Sequence, residues 1–140
     1  MTRYDVEQFL KRRERAWFDR DPDALAADHT DDSVVESPTH GRLATREAIR
    51  GVYATWFDAF PDLKFIADDL IVEGERAAVF FTSTGTHMKP FATIPATGRH
   101  MAIRGVFVMT FRDGRIAHEK RYYDATSLLL QIGVLKAKPM

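Results

Sequence analysis

Apolar residues at helical spacing open the chain. Val6, Phe9, Leu10, Ala16 and Trp17 share a stripe, and Lys11, Arg12, Arg15 and Arg20 face elsewhere. This predicts a first helix with Asp5 as N-cap and Gln8 completing a capping box. It ends at Asp21-Pro22, because the residue before a proline avoids the helical region. Pro22 suits the first position of a short second helix, Asp23 to Ala27. A short strand centred on Val34 and Val35 sits between the turn formers Asp31-Asp32-Ser33 and Ser37-Pro38. Thr45 then caps a third helix, in which Ile49, Val52, Tyr53, Trp56, Phe57 and Phe60 recur at three and four, and Pro61 stops it.

From Leu63 the period changes to two. Leu63–Val72 and Arg76–Met88 read as strands joined by Glu73-Gly74-Glu75. A loop containing Pro90, Pro95 and Gly98 follows, then a long strand, His100–Phe111. Arg112-Asp113-Gly114 is a hairpin signal, Arg115–Tyr123 the last strand, and Thr126–Ile132 a closing helix ended by Gly133. The expected architecture is one α+β domain over residues 1–140. In it a curved antiparallel sheet wraps around three N-terminal helices, with a short C-terminal helix. Such a cone leaves an apolar pocket between sheet and helices, the usual place for a small-molecule site.

Composition narrows the chemistry. Lys+Arg and Asp+Glu are both 20 in 140 residues, so no global field favours nucleic acid. There is no cysteine, which excludes disulfides, a thiolate nucleophile and Cys-ligated metal. No apolar run approaches a membrane span, and the charged stretch from Met1 to Arg15 has no signal-peptide core, so a soluble, cytoplasmic protein is expected. His29, Asp31, Asp32 and His40 do not have the spacing of a converging metal site, and the aspartates read as a turn; no metal is expected. No phosphate-cradling glycine motif and no nucleophile elbow occurs.

Several ordered segments resemble the SnoaL-like polyketide cyclase (ester cyclase) family, within the nuclear-transport-factor-like superfamily of cone-shaped α+β folds. They are Phe60-Pro61-Asp62-Leu63, Gly85-Thr86-His87, Ile94-Pro95-Ala96-Thr97-Gly98-Arg99, Phe111-Arg112-Asp113-Gly114-Arg115-Ile116, Tyr122-Tyr123-Asp124 and Leu128-Leu129-Leu130-Gln131-Ile132-Gly133. The resemblance implies a cofactor-free lyase or isomerase that closes a ring in a bulky, largely apolar ketide by an intramolecular aldol step. It also implies that an aspartate at the end of the last strand, here Asp124, is the general acid/base. The chain departs from the family pattern at Lys120, where relatives carry tryptophan, which makes that neighbourhood more polar.

Taken singly, these residues have plainer readings beside the catalytic one. Asp124 can abstract a proton if an apolar wall raises its pKa, or it can simply cap the helix near Thr126. Tyr122, two residues back, shares its strand face and would line the same pocket. His87 is either a polar contact at the pocket mouth or a hydrogen-bonded strand-end histidine. Arg104, among apolar neighbours, either holds a substrate oxygen or faces solvent. Trp17 and Phe91 are the aromatics expected to touch ligand, and Met88–Gly98 is a candidate lid. The expected partners are a small apolar or ketide-type substrate and a second copy of the chain, a homodimer through the open sheet face, with no nucleic acid and no membrane. Two alternatives stand beside the cyclase. One is a ketosteroid-isomerase-like or epoxide-hydrolase-like reaction on the same fold; the other is a non-catalytic module holding an apolar ligand.

Overall fold

The computed structural model describes residues 1–136 and 138. Helix α1 spans Arg3–Asp19, and Thr2 caps it where Asp5 was expected to. The Thr2 hydroxyl accepts from the Asp5 N–H, and the Asp5 carboxylate accepts from the Thr2 N–H at 2.9 Å, so Asp5, the third helical residue, closes a capping box. Asp21 caps α2 (Pro22–Ala27), with proline at its start. Strand β1 (His29–Ser37) and a three-residue strand β2 (Gly41–Leu43) follow. Thr45 caps α3 (Arg46–Ala59) as expected. The meander is β3 (Lys64–Glu73), β4 (Arg76–Thr86), β5 (His100–Arg112) and β6 (Arg115–Tyr123). Asp124 caps the closing helix α4 (Ala125–Gln131).

The six strands form one open sheet in the order β2-β1-β6-β5-β4-β3. It is mixed, where a wholly antiparallel sheet was expected. Strand β1 pairs parallel with β6, because the chain leaves β1, builds α3 and the rest of the meander, and returns in the same direction. Strand β2 carries too few residues to show alternation, and pairs antiparallel with β1 from Val35↔Leu43 to Ser37↔Gly41.

Pleating sorts the meander into two faces. Val79, Phe81 and Ser83 of β4 and Met101, Ile103 and Phe107 of β5 are buried on the helix side. Phe80 and Tyr122 each pair in register with Val106 on the other side, where both are exposed. A register shift between Thr110 and Phe111 decides which residues of β6 turn inward. Ile116 is buried, and so are Glu119 and Arg121 three and five residues on, so the bulge reverses the alternation between them. No helix among the described residues is long and apolar enough to cross a membrane.

Candidate active site

Two apolar clusters build the core. One joins α2, α3 and α4 to Met101 and Ile103; the other joins the start of α1 to Ala77, Val79, Phe81, Phe107 and Phe111. Trp17, Phe65 and Tyr123 pack against both. A cavity of about 50 Å³ lies along this seam, walled by Trp17, Tyr53, Trp56, Phe57, Leu63, Phe65, Phe81, Ile103, Phe107 and Tyr123, with Ser83 and Arg121 as further lining residues. Trp17 stacks on Phe65 at 4.1 Å and 8° and meets Tyr53 and Phe57 edge-on. Trp17, Trp56, Phe65 and Tyr123 are half-buried and the other lining residues are buried. Flat aromatic walls of this kind suit a flat, apolar molecule.

Arg121 is the cation among these lining residues. It is 6% exposed, and its guanidinium carbon lies 4.8 Å from the centre of the Tyr53 ring and 5.2 Å from that of Phe107. Its Nε donates to Glu119 Oε2 at 2.7 Å. Arg121 Nη2 and Glu119 Oε1 are buried and have no partner. A buried guanidinium nitrogen with nothing to bond is costly unless something with a lone pair occupies the space beside it. Burial pushes the Glu119 carboxyl up, but nearby charge, Arg121 first, outweighs it and holds the group below the ordinary carboxylate value.

A second polar layer lies behind Tyr53. Its hydroxyl accepts from Arg13 Nη2 at 3.2 Å and lies 3.0 Å from His29 Nε2. His29 Nδ1 lies 3.3 Å from Ser33 Oγ. Arg13 also donates to Asp28 Oδ2 at 2.8 Å and to the Leu25 carbonyl at 3.1 Å. Burial, assisted by Arg121 and Arg13 and opposed by Glu119, pushes His29 down to about 4, so its imidazole is neutral at neutral pH. Burial likewise pushes the Tyr53 phenol up. The two arginines and two carboxylates offset one another, and the site takes a polarised oxygen more readily than a second full charge.

Of the residues singled out in the sequence, Trp17 lines this cavity and the others lie elsewhere. Asp124 is exposed and accepts from the Ser127 N–H at 3.0 Å as the cap of α4, in an open groove with Thr82, Arg104 and Ser127. Arg104 is exposed there because it alternates with the buried Ile103. Tyr122 faces outward because the bulge in β6 gives the inner face to Arg121 and Tyr123. His87 is fully buried, stacked on Phe60 with its ring centroid 5.4 Å away, and its Nδ1 lies 3.0 Å from Thr97 Oγ1. Phe91 is core, 4.6 Å from Trp56 between ring centroids, and pins the 88–98 segment down. That segment contributes nothing to the cavity wall.

The groups missed in the sequence are Arg13, Tyr53, Glu119 and Arg121; His29 was weighed there only as a metal ligand. Arg13 lay inside a basic run, and Tyr53 read as ordinary helix core. Glu119 and Arg121 lie in the predicted strand Arg115–Tyr123 and were not singled out. The available signal was the three-residue interval from Ile116 to Glu119, which suits a bulge better than strict alternation.

A family model described as SnoaL-like polyketide cyclase matches residues 7–132. Comparison with curated proteins gives no match. Among solved structures the chain is similar to TsrD from Streptomyces laurentii, with 27% identity over 96% of this chain and 99% of that one, at a TM-score of 0.85. It is similar to IdmH from Streptomyces antibioticus, named a candidate polyketide cyclase, with 25% identity over 91% and 97% of the two chains and a TM-score of 0.75. AclR from Streptomyces galilaeus, named a candidate hydroxylase, shares the fold at a TM-score of 0.85, with 22% identity over 99% of this chain and 91% of that one.

Proposed function

The chain belongs to the SnoaL-like polyketide cyclase family, and on that premise we propose that it is a cyclase or isomerase that enolises a flat, largely apolar ketide in the aromatic cavity. The observation that carries this reading is the unpartnered Nη2 of Arg121, a buried guanidinium nitrogen on a lining residue of a largely apolar space. A proton leaves the carbon beside the substrate carbonyl, and its electron pair spreads onto the carbonyl oxygen, where Arg121 stabilises the developing charge. The carbanion then attacks a second carbonyl of the same molecule, a carbon–carbon bond closes the ring, and the new alkoxide takes a proton. The acid/base role expected for Asp124 passes in this reading to groups around the cavity.

The open space, about 50 Å³, is smaller than the roughly 150 Å³ that takes a benzene ring. A ketide therefore enters by parting the half-buried walls, Trp17 and Trp56 among them. Both tryptophans of the chain line the cavity, so intrinsic tryptophan fluorescence reads its occupancy directly. The exposed apolar face around Phe80 and Tyr122 supports the expected homodimer.

The test uses 2-tetralone, a bicyclic ketone with an activated methylene. The wild-type protein is expected to show saturable tryptophan quenching and to accelerate deuterium exchange at that methylene in D2O. Replacing Arg121 alone strands the Glu119 charge, so the informative variant is Glu119→Gln/Arg121→Gln, which leaves a neutral amide pair. Its exchange is expected to fall by about a hundredfold or more, the usual loss for an oxyanion donor. Saturable quenching by wild type without accelerated exchange would refute the enolisation reading.

A further inference from the structure

A chain of hydroxyls runs from the cavity wall to a half-buried histidine. Tyr123, a lining residue at the end of β6, places its hydroxyl 2.6 Å from Thr39 Oγ1 and 3.4 Å from Ser37 Oγ. Thr39 Oγ1 lies 2.8 Å from His40 Nδ1. The turn between β1 and β2 holds these groups in place: Ser37 Oγ accepts the backbone N–H of both Thr39 and His40 at 3.3 Å. His40 packs edge-on against Phe91, 5.7 Å between ring centroids.

A threonine hydroxyl has one hydrogen, so this chain has a direction. With His40 neutral and its Nδ1 lone pair free, Thr39 donates to His40 and Tyr123 donates to Thr39. Tyr123, a lining residue, then has an oxygen lone pair left to accept with. With His40 protonated, Nδ1–H donates to Thr39, Thr39 donates to Tyr123, and the phenol proton is released toward the cavity. Whether Nδ1 of one half-buried imidazole carries a proton thus sets whether Tyr123 accepts or donates. His29, in the buried layer behind Tyr53, is fully buried, whereas His40 is half-buried and touches water.

We propose that Tyr123, Thr39 and His40 form the proton path of the cavity. The proton from the substrate carbon goes to the Tyr123 oxygen, the phenol proton to Thr39, and the threonine proton to His40 Nδ1; the imidazolium then loses its Nε2 proton to water. The reverse sequence delivers a proton to the product alkoxide. The path rests on the enolisation reading above, for which it supplies the base. His40 is suited to the task, since burial and then the charge of Arg121 hold it below the ordinary histidine value, so the imidazole is free to accept at neutral pH. Besides Arg121, the titratable group coupled to it is Tyr123 through Thr39, both from β6, and Phe91 presents an uncharged ring.

Two measurements test the path. In the exchange assay, Tyr123→Phe and Thr39→Val are expected to lose about a hundredfold in rate, with quenching affinity for 2-tetralone within about twofold of wild type. His40→Gln is expected to flatten the pH dependence that wild type shows below pH 6.5. Wild-type rates and an unchanged pH profile in Tyr123→Phe and Thr39→Val, while Glu119→Gln/Arg121→Gln is slow, would overturn the path and leave the enolisation reading standing. The second measurement needs no substrate: 15N chemical shifts of the His40 ring at pH 7.5 are expected to show Nδ1 unprotonated. A proton on Nδ1 at that pH would overturn the path, whether or not exchange occurs.

Discussion

Replacing His29 by glutamine tests the buried polar layer through its pH dependence. His29 is fully buried between Tyr53 and Ser33, and its folded value of about 4 lies below the 6.5 of the unfolded chain. Between those values the unfolded state binds more protons than the native state, so its stabilisation is complete above pH 6.5 and is lost as the pH falls toward about 4. The interval from 6.5 to about 4 corresponds to about 3 kcal/mol, since one pH unit is worth about 1.4 kcal/mol. Glutamine keeps a donor and an acceptor and does not titrate here. Urea unfolding followed by tryptophan fluorescence at pH 7.5 and pH 4.5 gives four stabilities. Wild type is expected to lose about 2 to 3 kcal/mol more than His29→Gln across that interval. Carboxylates held low by their partners, such as Asp5 by Thr2 and Asp32 by Arg112, are present in both proteins and cancel in the comparison. Equal losses in the two proteins would show that His29 is protonated in the native state at pH 4.5 and refute the reasoning.

Asp124→Ala should lower stability by about 1 kcal/mol through loss of the α4 cap and leave ketone exchange near wild type, checked by urea unfolding and by NMR exchange rates. Gly105→Ala would bring a Cβ within 2.2 Å of the Tyr122 carbonyl oxygen and 2.8 Å of the Phe81 ring. The expected cost is about 1–3 kcal/mol, together with a changed tryptophan spectrum as Phe81 is pushed against the cavity. Tyr53→Phe strips Arg13 and His29 of a shared partner and should destabilise by about 1–3 kcal/mol, again read by urea unfolding. In the proposed homodimer through the open sheet face, Phe80→Glu puts a charge in the middle of that face and should shift the mass seen by light scattering from dimer to monomer; a wild-type mass of one chain would refute the dimer.

The helices and the meander were legible because their signals are local. The three- and four-residue spacing of Ile49 to Phe60, the Pro22 start, the Thr45 cap and the Asp113-Gly114 hairpin each act within a few residues. The parallel pairing of β1 with β6 joins residues far apart in sequence, and no local pattern announces it. The site was harder for a related reason. One bulge reversed the facing of β6, which sent Tyr122 to the open face and brought Arg121 and Tyr123 to the cavity. Family likeness pointed to the aspartate after that strand, and the capping reading of Asp124 was available from its residue type alone. Arg13 and Glu119 belong to residue types that are rarely buried, and their respective ion-pair partners, Asp28 and Arg121, make their burial tolerable.

The proposed enolisation takes place in the cavity between sheet and helices, beside Arg121. A crystal structure of the protein soaked with 2-tetralone tests it most directly. The account predicts the rings between Trp17 and Trp56, with the ketone oxygen within hydrogen-bonding distance of Arg121 Nη2. A ketone lodged instead in the open groove of Thr82, Arg104 and Asp124, with the aromatic cavity unchanged, would contradict it.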